Sequence, residues 1–140
     1  MLCKDVMENE VDVLSRKDTI ERAAVLMRES DIGFLPVCDE ENRPIGVVTD
    51  RDLVLRILAE RRPTTTPVEQ VMSRHVVTVS PFDAIEEAHR AMADHQVSRV
   101  VCVNGGGQVV GVISLADLSD VDERDIGTTL QEVKAPGGLR

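Results

Sequence analysis

A shift of 65 residues lays this chain on itself without a gap, and that self-match constrains the fold more than any single motif. Gly46-Val47-Val48-Thr49-Asp50-Arg51-Asp52-Leu53 falls on Gly111-Val112-Ile113-Ser114-Leu115-Ala116-Asp117-Leu118. The register extends far beyond this turn: Val6-Met7 falls on Val71-Met72, Val11 on Val76, Ser15 on Ser80, and Asp18 on Asp83. Ile20-Glu21 falls on Ile85-Glu86, Ala23 on Ala88, and Met27 on Met92. Chance does not hold register over such a distance, so the chain is a tandem duplication. Either copy alone buries too little apolar surface to stand well, which makes the pair the folding body.

Each copy carries the same plan. Val11 to Leu14, matched by Val76 to Val79, is a short strand candidate. Asp18 and Asp83 stand as helix N-caps, with Glu21 and Glu86 completing capping boxes. Behind them Ile20, Ala23 and Met27, and Ile85, Ala88 and Met92, keep helical spacing to about Ser30 and His95. Two apolar runs around a polar or Gly-rich turn then read as a hairpin: Phe34–Cys38 with Pro44–Val48, and Arg99–Val103 with Gln108–Ile113. The signature turn opens a second helix, Asp50 to about Arg61, with Leu53, Val54, Ile57 and Leu58 as its apolar stripe; its counterpart runs from Leu115 to about Asp120.

The expected fold class is α+β, two β-α-β-β-α repeats packed sheet to sheet with pseudo-twofold symmetry. Residues 1–62 form the first repeat, 63–67 a proline-broken linker, 68–120 the second repeat, and 121–140 an acidic, frayed tail.

Composition narrows the function. The net charge of −9 is shared by both halves, and the chain has no Trp, no Tyr and two Phe. That balance argues against a nucleic-acid binder, which needs phosphate-neutralising charge and stacking platforms. No apolar run approaches the ~20 residues of a membrane span. No charged-then-apolar leader precedes the first periodic segment, so a cytoplasmic protein is expected. Cys3, Cys38 and Cys102 lack CxxC spacing; Cys38 and Cys102 read as small buried hydrophobes.

With Val6-Met7 and Val71-Met72 before the first strands, Asp31-Ile32-Gly33-Phe34-Leu35-Pro36-Val37 and His95-Gln96-Val97-Ser98-Arg99 after the helices, and two Gly-x-x-(Thr/Ser)-x-x-Asp turns, the chain resembles a tandem pair of cystathionine-β-synthase-type (CBS) domains from Val6 to Leu118. The resemblance implies a regulatory module, not an enzyme. Such pairs bind AMP, ADP, ATP, NAD or S-adenosylmethionine in clefts between the repeats and often form flat dimers. No cofactor is required. A homodimer and an effector protein on a separate chain are the implied partners, since only about 20 residues follow the second repeat.

The resemblance also assigns residues. Asp52 and Asp117 would hold ribose, a role suited to a carboxylate that accepts from both vicinal hydroxyls. Thr49 and Ser114 would offer a hydroxyl to phosphate or ribose, or serve only as helix caps. Arg99, next to Ser98, would join Thr49 and Asp52 in one cleft and hold phosphate by a charge-assisted bond. The matching residue of the first copy is Phe34, so the cleft of Ser114 and Asp117 departs from the pattern. Adenine would sit near Val11 and Val13 on one side and Val76 and Thr78 on the other.

Other chemistries find little support. His75, His89 and His95 have no i, i+4 pairing, and no metal site is expected. No nucleophile has a base placed by local spacing, and the Walker lysine and the Rossmann glycines are missing. The competing reading is a ligand-independent dimerisation or scaffold module.

Overall fold

The computed structural model describes residues 1–121. In chain order the elements are α1 (Cys3–Val6), β1 (Leu14–Ser15), α2 (Ile20–Ser30), β2 (Phe34–Cys38), β3 (Pro44–Thr49), α3 (Asp50–Asp52, continued as a π-helix over Leu53–Leu58), β4 (Thr78–Val79), α4 (Ile85–His95), β5 (Arg99–Val103) and β6 (Val109–Ser114). Residues 115–121 are helical again. The class is α+β, with two three-stranded sheets ordered β1-β2-β3 and β4-β5-β6. The acidic tail expected after residue 120 lies, beyond Val121, outside the described residues. Among the described residues no helix is long and apolar enough to cross a membrane.

Two compact units form. One contains residues 10–76 and 105–109; the other contains, among the described residues, 1–9, 77–104 and 110–121. The lead-in of each copy thus belongs to the unit built around the other copy's sheet. Val47 bridges Ser73 in one unit and Val112 bridges Glu8 in the other, both antiparallel. This placement explains the glycine that opens each signature turn. A Cβ on Gly46 would lie 2.5 Å from Met72 Sδ and 2.8 Å from the Ser73 carbonyl oxygen, and one on Gly111 would lie 2.6 Å from Met7 Sδ. The paired methionines lie directly on the paired glycines.

The cores follow the two periodicities. In the first, Ile20, Ala23 and Met27 of α2 pack with Leu35, Val37 and Val48 of the hairpin and with Leu14 and Ile57. In the second, Ile85, Ala88 and Met92 of α4 pack with Val100, Cys102 and Ile113 and with Cys3 and Leu118. Both helices end where expected, each on a left-handed residue, Asp31 at φ 52° and Gln96 at φ 55°. β2 and β3 pair antiparallel with Leu35 opposite Val48.

Three local expectations are corrected. The leading strands are shorter and later than Val11 to Leu14 and Val76 to Val79. Only Leu14-Ser15 pairs with Val37-Cys38, and only Thr78-Val79 with Val101-Cys102, both in parallel. β-branched residues favour strand, but pairing decides it; Val11, Val13 and Val76 remain half-buried outside the ladders.

Asp18 and Asp83 are not helix caps. Their carboxylates accept the backbone N–H of Ser15 at 2.8 Å and of Ser80 at 2.9 Å, closing the turn that precedes each helix. The cap of α2 is Thr19, whose hydroxyl accepts from the Arg22 N–H at 3.1 Å. Ala84 occupies that position in α4 and offers no side-chain cap. The orphan donors of the first turn are met by backbone instead: Ile20 donates to the Thr66 carbonyl, Glu21 to Thr64, and Ile85 to Met1.

The apolar stripe of the second helix does not lie inside. Ile57 is buried and Leu53 is half-buried against the core, but Val54 is 52% exposed and Leu58 72% exposed.

Candidate functional site

The two signature turns fold alike. Each ends a strand in extended backbone and starts a helix, and the hydroxyl and carboxylate three residues apart close on one another. Asp52 Oδ2 accepts the Thr49 N–H at 2.9 Å, while Thr49 Oγ1 accepts the Asp52 N–H at 3.2 Å. In the second copy Asp117 Oδ2 accepts the Ser114 N–H at 2.9 Å and Ser114 Oγ accepts the Asp117 N–H at 3.1 Å. These are reciprocal capping boxes. They fix the rotamer of each aspartate yet occupy one of its oxygens only once. A carboxylate has about four lone-pair sites, so capacity remains for a diol. Thr49, Asp52, Ser114 and Asp117 are all half-buried, within reach of a ligand.

A further backbone bond ties each turn to the start of the second strand. Asp50 donates to the Gly33 carbonyl at 3.0 Å and Leu115 to the Ser98 carbonyl at 2.8 Å. Phe34 pairs with Thr49 across the ladder. Ser98 is exposed and Arg99 half-buried at the equivalent edge; Phe34 is 8% exposed. Thr49, Asp52, Val11, Val13 and Val76 belong to the unit of residues 10–76, whereas Thr78, Ser98, Arg99, Ser114 and Asp117 belong to the other.

One neighbour of Asp52 escaped the motif. Arg56 Nε lies 3.7 Å from Asp52 Oδ1, and Arg56 Nη1 donates to the Val71 carbonyl at 2.8 Å. The signal was present in the i, i+4 spacing, which places the two side chains on one helical face. The corresponding residue of the second copy is Val121, 1% exposed.

Among the described residues no three His, Cys, Asp or Glu side chains gather in a way that would hold a metal ion. All three cysteines are free and buried. Burial pushes the thiols of Cys3 and Cys38 up to about 11 and that of Cys102 to about 12, so at neutral pH they are protonated core groups and not nucleophiles.

The family model described as CBS domain matches residues 3–59 and 68–124. The CBS domain-containing protein YhcV of Bacillus subtilis is 39% identical over 116 residues, covering 83% of this chain and 81% of that protein. Hypoxic response protein 1 of Mycobacterium tuberculosis is 33% identical over 117 residues, covering 83% and 81%. A crystal structure of Hypoxic Response Protein I with two coordinated zinc ions aligns at a TM-score of 0.77 and 31% identity, over 86% of this chain and 98% of that one. The CBS domain protein PAE2072 of Pyrobaculum aerophilum, complexed with AMP, aligns at 0.80 and 27% identity, over 95% and 100%.

Proposed function

The chain belongs to the CBS-domain family as a tandem pair, and from that premise we propose that it is a regulatory sensor of an adenosine-containing ligand. AMP, ADP, ATP, NAD and S-adenosylmethionine are the candidate ligands. In this reading Asp52 takes the ribose diol, and Thr49 offers its hydroxyl. Arg99 and Ser98 approach from the other repeat to hold phosphate, and adenine rests near Val11, Val13, Val76 and Thr78. Ser114 and Asp117 make a second cleft, which Phe34 leaves without the matching cation. The protein acts in the cytoplasm as a binding module and signals to a partner chain. The observation that carries the reading is the repeated, pre-formed carboxylate of Asp52 and Asp117, each held by its own turn. The AMP complex of the 27%-identical PAE2072 supports it.

Thermal melting with each ligand tests the proposal. A ligand at a hundred times its Kd adds about 2.7 kcal/mol, which in a chain of this size raises the melting temperature by about 8–10 °C. A scaffold module gains nothing from any of them.

The dimer belongs to the same reading and has its own support. Val54, Leu55 and Leu58 are 52%, 47% and 72% exposed on one stretch of helix. The 65-residue shift places Ser119, Asp120 and Glu123 at the same positions of the second copy. A second copy of this helix, laid antiparallel about a twofold axis, sets Val54 against Leu58. The isologous contact buries the exposed apolar groups of both copies at once. Light scattering is expected to give the mass of two chains, and Leu58→Glu to give the mass of one; a single-chain mass for the unaltered protein removes the dimer.

A further inference from the structure

The two signature aspartates have the same cap and different neighbours. Asp52 is flanked one helical turn on by Arg56, and Asp117 by the buried Val121. We infer that Arg56 makes the Asp52 site selective for phosphorylated over unphosphorylated adenosine; this rests on the sensor reading above.

Asp52 is gripped from two sides. The Thr49 N–H holds Oδ2 at 2.9 Å, and Arg56 faces Oδ1 at 3.7 Å. Arg56 is itself tethered, because its Nη1 donates to the Val71 carbonyl at 2.8 Å. The tether matters, since a long side chain on a half-exposed surface otherwise spends its charge on mobility. A guanidinium has five N–H donors, and the Val71 carbonyl takes one. The Arg56 side chain is 52% exposed, against 18% for Asp52, so the cation is the more accessible member of the pair.

Arg56 also lines a groove of about 410 Å³ with Leu55, Glu60, Arg62, Gln70 and Val71. Arg62 donates to Gln70 Oε1 there at 2.7 Å. With the Arg56 guanidinium set against Asp52, Arg62 and Glu60 balance, so the groove adds no net negative charge in a chain of net charge −9. A ribose on Asp52 therefore meets a carboxylate compensated by Arg56, so an anionic substituent is not repelled there. On Asp117 it meets a carboxylate with no ion-pair partner among the described residues, which repels one. Arg56 acts through Asp52 and the local field, so it is a positioning and selectivity residue.

Titration calorimetry with AMP and with adenosine tests this in an Asp117→Asn background, which leaves the Asp52 site to report. The ratio of the two affinities is the readout, because a general loss of structure weakens both ligands together. Arg56→Gln is expected to lower the AMP-over-adenosine preference about fivefold, and Arg56→Lys to restore most of it. The preference of the parent is expected to shrink in about 0.5 M salt. A preference unchanged by Arg56→Gln, with both ligands still bound, overturns the role of Arg56 and leaves the sensor standing. Binding of neither ligand to the parent or to the unaltered protein overturns the sensor and this inference with it. Melting of the unliganded variants shows that each is folded.

Discussion

Gly46→Ala is expected to cost about 2–3 kcal/mol, a fall of about 7–10 °C in melting temperature. One methyl group has this effect because of what lies over the glycine. The new Cβ meets Met72 Sδ at 2.5 Å and Met72 Cγ at 2.8 Å, and it meets the Ser73 carbonyl oxygen at 2.8 Å. A thioether can swing aside, since methionine is the most adaptable of the apolar side chains. The carbonyl cannot. Ser73 donates to the Val47 carbonyl and accepts from the Val47 N–H, both at 2.9 Å, so its strand is fixed next door to the substitution. Combining Gly46→Ala with Met72→Ala is therefore expected to restore only part of the loss, and the two changes to be non-additive. Gly105→Ala is the control. No atom lies within 4 Å of a Cβ there, so its effect is expected to stay within about 0.5 kcal/mol. Denaturant or thermal unfolding measures all four. Should Gly46→Ala melt with the unaltered protein, the lead-in is not pressed against the hairpin.

The same contact shows how far the sequence could be read. Val6-Met7 and Val71-Met72 stood out as a repeated dipeptide, and Gly46 and Gly111 as repeated glycines, because matching residues recur at a fixed interval. That the methionine of one copy's lead-in packs on the glycine of the other copy's hairpin is a tertiary fact, and a shift of 65 residues carries no sign of the exchange. The helices Ile20–Ser30 and Ile85–His95 were legible because their period and their stops are local. The expectation of Asp18 as the cap, in place of Thr19, fails for a physical reason. Asp18 is the stronger capping type, but its carboxylate is already spent on the Ser15 N–H, and side-chain competition of that kind leaves no trace in spacing. The stripe of Leu53, Val54, Ile57 and Leu58 failed similarly. Its period was real, but only Ile57 and Leu53 reach the core, and the remaining apolar groups face outward. At the candidate site the motif gave Thr49, Asp52, Ser114 and Asp117, all four of which close their boxes. Arg56 went unnoticed because it belongs to one copy only, and a reading led by the repeat overlooks what the copies do not share.

Asp52→Asn is expected to leave the unliganded melting temperature nearly unchanged and to abolish the stabilisation by AMP. The asparagine keeps a side-chain oxygen for the Thr49 N–H, so the cap survives, as Asn and Asp cap helices about equally well. It loses the ability to accept from two hydroxyls at once, because one of its two terminal atoms becomes a donor. Two hydrogen bonds to a charged group are at stake, which weakens AMP by about a hundredfold or more. At a concentration that raises the melting temperature of the unaltered protein by about 8–10 °C, the variant should then move by no more than about 2 °C. Asp117→Asn, made in the same way in a turn of the same geometry, is expected to keep most of the AMP response, since Phe34 stands in the first copy where the second has Arg99. Arg99→Ala completes the set: it should lower the response to AMP to that of adenosine and leave the adenosine response unchanged, since adenosine has no phosphate to hold. A full AMP shift in Asp52→Asn would leave that aspartate as a helix cap and nothing more, and a chain whose two turns only cap helices is a scaffold.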